Sequence, residues 1–148
     1  MGNRQLYDQD FYAWANEQAG LLRAGWLSEA DSEPIAEEIE SMGRSEKREL
    51  VNRLTVVLLH LLTRQHQPTL RGTRWRLTVE EQRNQIEDHL ADNPSVKCAV
   101  QEAVVAAYRN ALLGAARETG LDRGLFPLIC PWSLEQIMDL AFYPEATN

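Results

Sequence analysis

Between Pro34 and Pro68 the chain reads PIAEEIESMGRSEKRELVNRLTVVLLHLLTRQHQP, and few folds accommodate such a run. Its second half sets Leu50, Leu54, Val57, Leu58 and Leu61 at helical spacing on one stripe, which Val51 and Leu62 broaden. Val56 and Leu59 fall off that stripe, so the helix is apolar over much of its circumference. Such a helix sits at the centre of a bundle or against a partner. The first half interleaves Glu37, Glu38 and Glu40 with Ile35, Ile39 and Met42. Gly43 predicts a kink or a short break between the halves.

The remaining punctuation also suits helices. Phe11, Trp14, Ala15, Gln18 and Leu22 follow a helical repeat, with Asp8 as N-cap and Gly25 as stop. Ser32 and Pro34 open the next helix, because a first-turn proline loses no hydrogen bond the helix needs. Gln67, Pro68 and Gly72 predict a loop of about ten residues, and Thr78 with Glu81 reads as a capping box that opens a further helix. Asn93 and Pro94 begin a helix whose face is Val96, Ala99, Val100, Ala103, Val104, Ala107, Ala111 and Ala115, and Gly120 ends it. Ser133 and Gln136 cap a last short helix. No strand-like alternation, repeat or linker is present. The reading is all-α: a single helical domain, residues 1–148, built as a bundle of four to five main helices with a short C-terminal helix.

Composition narrows the class of function. Hydrophobic content of 44% and charged content of 25% belong to a globular chain, not a disordered one. A net charge of −7 argues against nucleic-acid binding through the overall field, though not against a local basic patch. No apolar run is long enough to span a membrane, and MGNRQLYDQDF lacks the apolar core of a signal peptide. Cys98 and Cys130 have no zinc or redox spacing and read as buried small apolar residues of a cytoplasmic protein.

Catalytic patterns are missing. The residues three before His60, His66 and His89 are Val57, Thr63 and Ile86, so the Glu-x-x-His arrangement of di-metal bundles does not occur. No HExxH, GxSxG, GxGxxG or P-loop pattern exists either. His60 borders the apolar stripe and reads as a core histidine satisfied by one partner. A metal-dependent enzyme would need histidines and glutamates to converge from different helices. No catalytic residue, metal ligand or cofactor is assigned.

Charge segregation is the best functional clue. Ser28 to Glu40 holds six acidic residues and no basic one, whereas Leu50 to Val79 holds five arginines and no acidic one. Arg64, His66, Arg71, Arg74, Trp75 and Arg76 form the candidate binding surface, with guanidinium forks for carboxylate or phosphate and an aromatic to stack or anchor. Glu33, Glu37, Glu38 and Glu40 are the acidic counter-surface. The expected role is a non-enzymatic interaction or regulatory protein, self-associating or bound to a protein partner. A nucleic-acid-binding accessory protein using Arg64–Arg76 is the first alternative, and a metal-dependent enzyme with a His/Glu site in the bundle is the second.

Several separated motifs together resemble a known family. EEIESMGRSEKRELVNRL, the HLL at His60 to Leu62, EQRNQIEDHL, FPLICPWSLEQIMD and the opening YDQDFYAWANEQAGLLRAG resemble the bacterial family called domain of unknown function 29, from about Tyr7 to Pro144. Where family members often carry Lys-Trp after the HLL, this chain has Thr63 and Arg64. The resemblance implies a helical protein and implies no activity, cofactor or catalytic residue.

Overall fold

The computed structural model describes residues 4–67, 69 and 72–146. Its helices are α1 (Arg4–Gln9), α2 (Phe11–Ala24), α3 (Ser32–His66), α4 (Thr73–Asp92), α5 (Val100–Thr119) and α6 (Leu134–Met138). Short 3₁₀ turns cover Leu27–Glu29, Pro94–Ala99 and Arg123–Leu125. No strand occurs among the described residues. The chain is an all-α bundle with a short C-terminal helix. It divides into two compact units, Met1–Ser45 and Glu46–Asn148.

Several helix ends follow local chemistry. Gly25 and Gly120 stop α2 and α5 in the left-handed conformation, with φ of 78° and 73°, where a side chain would be strained. Ser133 and Gln136 form the reciprocal capping box that opens α6. Other ends differ from the sequence reading. The N-cap of α2 is Asp10, whose carboxylate accepts from the Ala13 amide at 3.1 Å, while Asp8 lies inside α1.

Gly43 does not break the helix: α3 runs unbroken for 35 residues. A single interior glycine costs about 1 kcal/mol against alanine, too little to interrupt a helix of this length. Thr78 does not open a helix. Glycine 72 is the N-cap of α4, and the Thr78 hydroxyl donates to the Arg74 carbonyl one turn back, at 3.0 Å. Asn93 and Pro94 begin a 3₁₀ turn, and α5 proper starts at Val100. Cys98 is exposed in that turn, and Cys130 is half-buried.

In unit 2 the core follows the apolar stripes. Leu50, Leu54, Val57, Leu58, Leu61 and Leu62 of α3 are fully buried, as its near-continuous apolar surface required. Val79 and Ile86 of α4, Ala103, Ala107, Ala111 and Ala115 of α5, and Ile137 of α6 join them. The small residues of α5 let backbones approach. A Cβ added at Gly114 would lie 2.6 Å from Leu59 Cδ1.

Unit 1 is organised around one buried polar knot. The indole of Trp14 donates to Asp31 at 2.7 Å, and the Asp31 amide donates to Gln18 Oε1, also at 2.7 Å. All three residues are buried. This knot ties α2 to the turn that leads into α3.

Candidate functional site

The described residues of the candidate binding surface occupy helix, not the loop of about ten residues expected around Pro68 and Gly72. Arg64 and His66 end α3, and Arg74, Trp75 and Arg76 lie in the first turn of α4. Arg71 lies outside the described residues. Trp75 is only 8% exposed, and its indole donates to the His60 carbonyl at 3.1 Å, so its ring serves the core of unit 2. Its face meets Tyr143 at 5.5 Å between centroids and the Arg64 guanidinium at 5.3 Å.

Tyr143 gathers three cations. The guanidinium carbons of Arg64, Arg76 and Arg83 stand 5.4, 4.7 and 5.3 Å from its ring centroid. Arg64 also donates to the Pro144 carbonyl at 3.3 Å. This corner fastens the C-terminal segment to α3 and α4. Arg74 and Arg76 are exposed. His66 packs edge-on against Phe126 at 4.7 Å, and burial pushes its pKa below the ordinary histidine value. His60 is half-buried and donates from Nδ1 to the Val56 carbonyl one turn back at 2.7 Å.

The acidic stretch has its partners inside unit 1. Glu37 pairs with Arg4 at 3.7 Å, Glu40 with Arg44 at 3.8 Å, and Glu38 accepts from the Tyr7 hydroxyl. That hydrogen bond is the main cause that pushes the Tyr7 pKa up to about 12. Glu37 and Glu38 are half-buried, and Glu33 and Glu40 are exposed. These ion pairs are long and solvated, so they neutralise little.

Between the glutamates lies an apolar face without cover. Ile39 is 59% exposed and Met42 63%, and Leu22 and Leu27 are also exposed. Leu22, Leu27, Ile35, Ala36 and Ile39 line a shallow hollow of about 320 Å³. Trp26 is exposed beside Leu27. Nine of the chain's carboxylates and three of its arginines fall in Met1–Ser45, which gives this unit −6 of the total −7. The sequence reading noticed the acidic block. It did not identify the apolar residues between the glutamates as an open surface, although Ile35, Ile39 and Met42 already had one-face spacing.

A second grouping was not anticipated. Glu46 and Glu49 of α3 and the buried His89 of α4 come together, with one ligand atom from each within 4.8 Å of the others. Glu46 and Glu49 share a helix face by their three-residue spacing. His89 arrives from a helix forty residues on, a convergence that no local spacing encodes.

Fold and surfaces thus define a small helical-bundle protein, and among the described residues no helix is long and apolar enough to cross a membrane. The chain belongs to the family described as Domain of unknown function DUF29, whose model matches residues 6–143. No curated protein and no solved structure matches it.

Proposed function

We propose that this is a cytoplasmic, non-enzymatic interaction protein whose docking surface is the acid-rimmed apolar face of unit 1. Its occupant is a basic amphipathic helix of a partner protein. The observation that carries the reading is the exposure of Ile39 and Met42, one turn apart on α3, within a unit of net charge −6. Exposed apolar residues aligned on one helix face suit helix-in-groove recognition, and the flanking Glu33 and Glu40 favour a cationic ligand. Pairing of this face with the same face of a second copy is disfavoured, because it would bring two such acidic rims together.

Arg64 and Trp75 hold unit 2 together in this reading, and Arg74 and Arg76 stay on its surface. The test is a fluorescence-anisotropy titration of the full chain with a helical Leu/Lys peptide and with its Leu/Glu counterpart. The Leu/Lys peptide should bind, more weakly as salt rises, and the Leu/Glu peptide should not. Ile39→Glu decides the mechanism, since it adds a negative charge while spoiling the apolar face. Binding weakened at least about tenfold supports docking on that face. Unchanged or tighter binding means a diffuse charge attraction and overturns the proposal. A Leu/Lys peptide that fails to bind overturns it as well.

A further inference from the structure

We propose that Glu46, Glu49 and His89 form a site for one divalent transition-metal ion, zinc being the best fit, that links α3 to α4 within unit 2. The argument begins with the imidazole. His89 Nε2 lies 2.9 Å from the Glu46 carbonyl oxygen. A carbonyl only accepts, so Nε2 carries the hydrogen, and in the tautomer this bond selects the lone pair is on Nδ1. That lone pair faces Glu49 Oε2 at 3.5 Å. Two acceptors opposed at the edge of a buried ring repel each other unless a cation lies between them.

The spacing has room for a bridging metal. A proton shared by imidazolium and carboxylate draws the heavy atoms to about 2.8 Å. Zinc bound at about 2.1 Å to each of two ligands in a tetrahedron holds them about 3.4 Å apart. The observed 3.5 Å matches the metal geometry.

Metal-bound histidines characteristically donate their other N–H to a backbone carbonyl or carboxylate, and ligating carboxylates are themselves hydrogen-bonded. Here Nε2 donates to the Glu46 carbonyl, and Glu49 uses its other oxygen, Oε1, to accept from Arg53 Nε at 3.1 Å and Nη2 at 2.7 Å. Arg53 thus holds Oε1 and leaves Oε2 turned towards the ring. The third ligand is Glu46, whose Oε2 is 3.7 Å from the ring at Nε2. Its side chain is 43% exposed, and one of its oxygens lies within 4.8 Å of the ligand atoms of Glu49 and His89. Three protein ligands leave one position for water.

The experiment is calorimetric titration of zinc into metal-stripped full-length protein at neutral pH, with a parallel thermal melt. One zinc per chain should bind, and saturation should raise the melting temperature by about 5 °C. Glu49→Gln should weaken uptake at least about tenfold while leaving the helical circular dichroism spectrum intact, because it is isosteric and keeps a polar partner for Arg53. His89→Gln should abolish uptake, and if that variant does not fold, Glu49→Gln and Glu46→Gln decide. Absence of uptake by the wild-type chain overturns the site. So does equal uptake by Glu49→Gln, which would place the ion elsewhere, for example on the exposed Cys98 thiol.

Discussion

Arg83 donates from Nε to the carbonyl of Ile137 at 2.7 Å, joining the buried face of α4 to the end of α6. A second nitrogen, Nη2, donates to the Phe142 carbonyl at 2.9 Å. The side chain is 1% exposed, and burial holds its pKa below the ordinary arginine value. Its position follows from helical spacing: Trp75, Val79, Arg83 and Ile86 form the inward stripe of α4. An arginine on that stripe satisfies the carbonyls of a C-terminal segment that has little regular structure of its own.

Arg83→Met should therefore destabilise the chain by about 2 to 4 kcal/mol, because one buried and one part-buried carbonyl lose charge-assisted donors while the apolar stem is retained. Urea unfolding measures this, and hydrogen exchange should show the loss concentrated in residues 137–143. A cost below about 1 kcal/mol would mean that the segment is held by packing alone.

The contact between Gly114 and Leu59 predicts a coupling. Alanine in a helix interior gains about 1 kcal/mol over glycine. At Gly114 its Cβ meets Leu59 Cδ1 at 2.6 Å, so Leu59 has to turn away from a packed interface. Gly114→Ala should give little or no gain in the native background and the full gain in a Leu59→Ala background. A double-mutant cycle of denaturant midpoints should show about 1 kcal/mol of interaction, and strict additivity would contradict the close approach.

His66 predicts a pH dependence of stability. Its folded pKa is depressed below 6.5 by burial, so the unfolded chain binds a proton that the folded chain resists. The contribution of His66 is thus complete above pH 6.5 and falls away as pH drops through that value towards the folded pKa. The buried Nε2 without a hydrogen-bond partner in the described structure is consistent with this. His66→Gln should flatten the loss of stability as pH falls below 6.5, read as the difference in urea midpoint from the native chain. Parallel pH profiles for the two proteins would count against the burial argument.

Local signals in the chain were sufficient for much of the helical framework. Gly25 and Gly120 stop helices because the left-handed conformation suits glycine, and Ser133 with Gln136 starts one through bonds a few residues long. The stripe from Leu50 to Leu62 specified a central helix because spacing alone sets which side chains share a face. Family membership was also legible, since separated motifs in one order are a property of the chain.

Only the tertiary structure decided what those helices do with their side chains. Gly43 lies within a continuous helix, because its local penalty is small against that of ending a long helix. Thr78 and Glu81 match a capping box, yet α4 begins earlier, at Thr73, and buries Trp75 against His60 and Tyr143. The convergence of Glu46 and Glu49 with His89, and of three arginines on Tyr143, joins positions far apart in the chain. Periodicity specifies a face for each helix, but which faces meet is set by packing among all of them, and that is where the candidate sites arise.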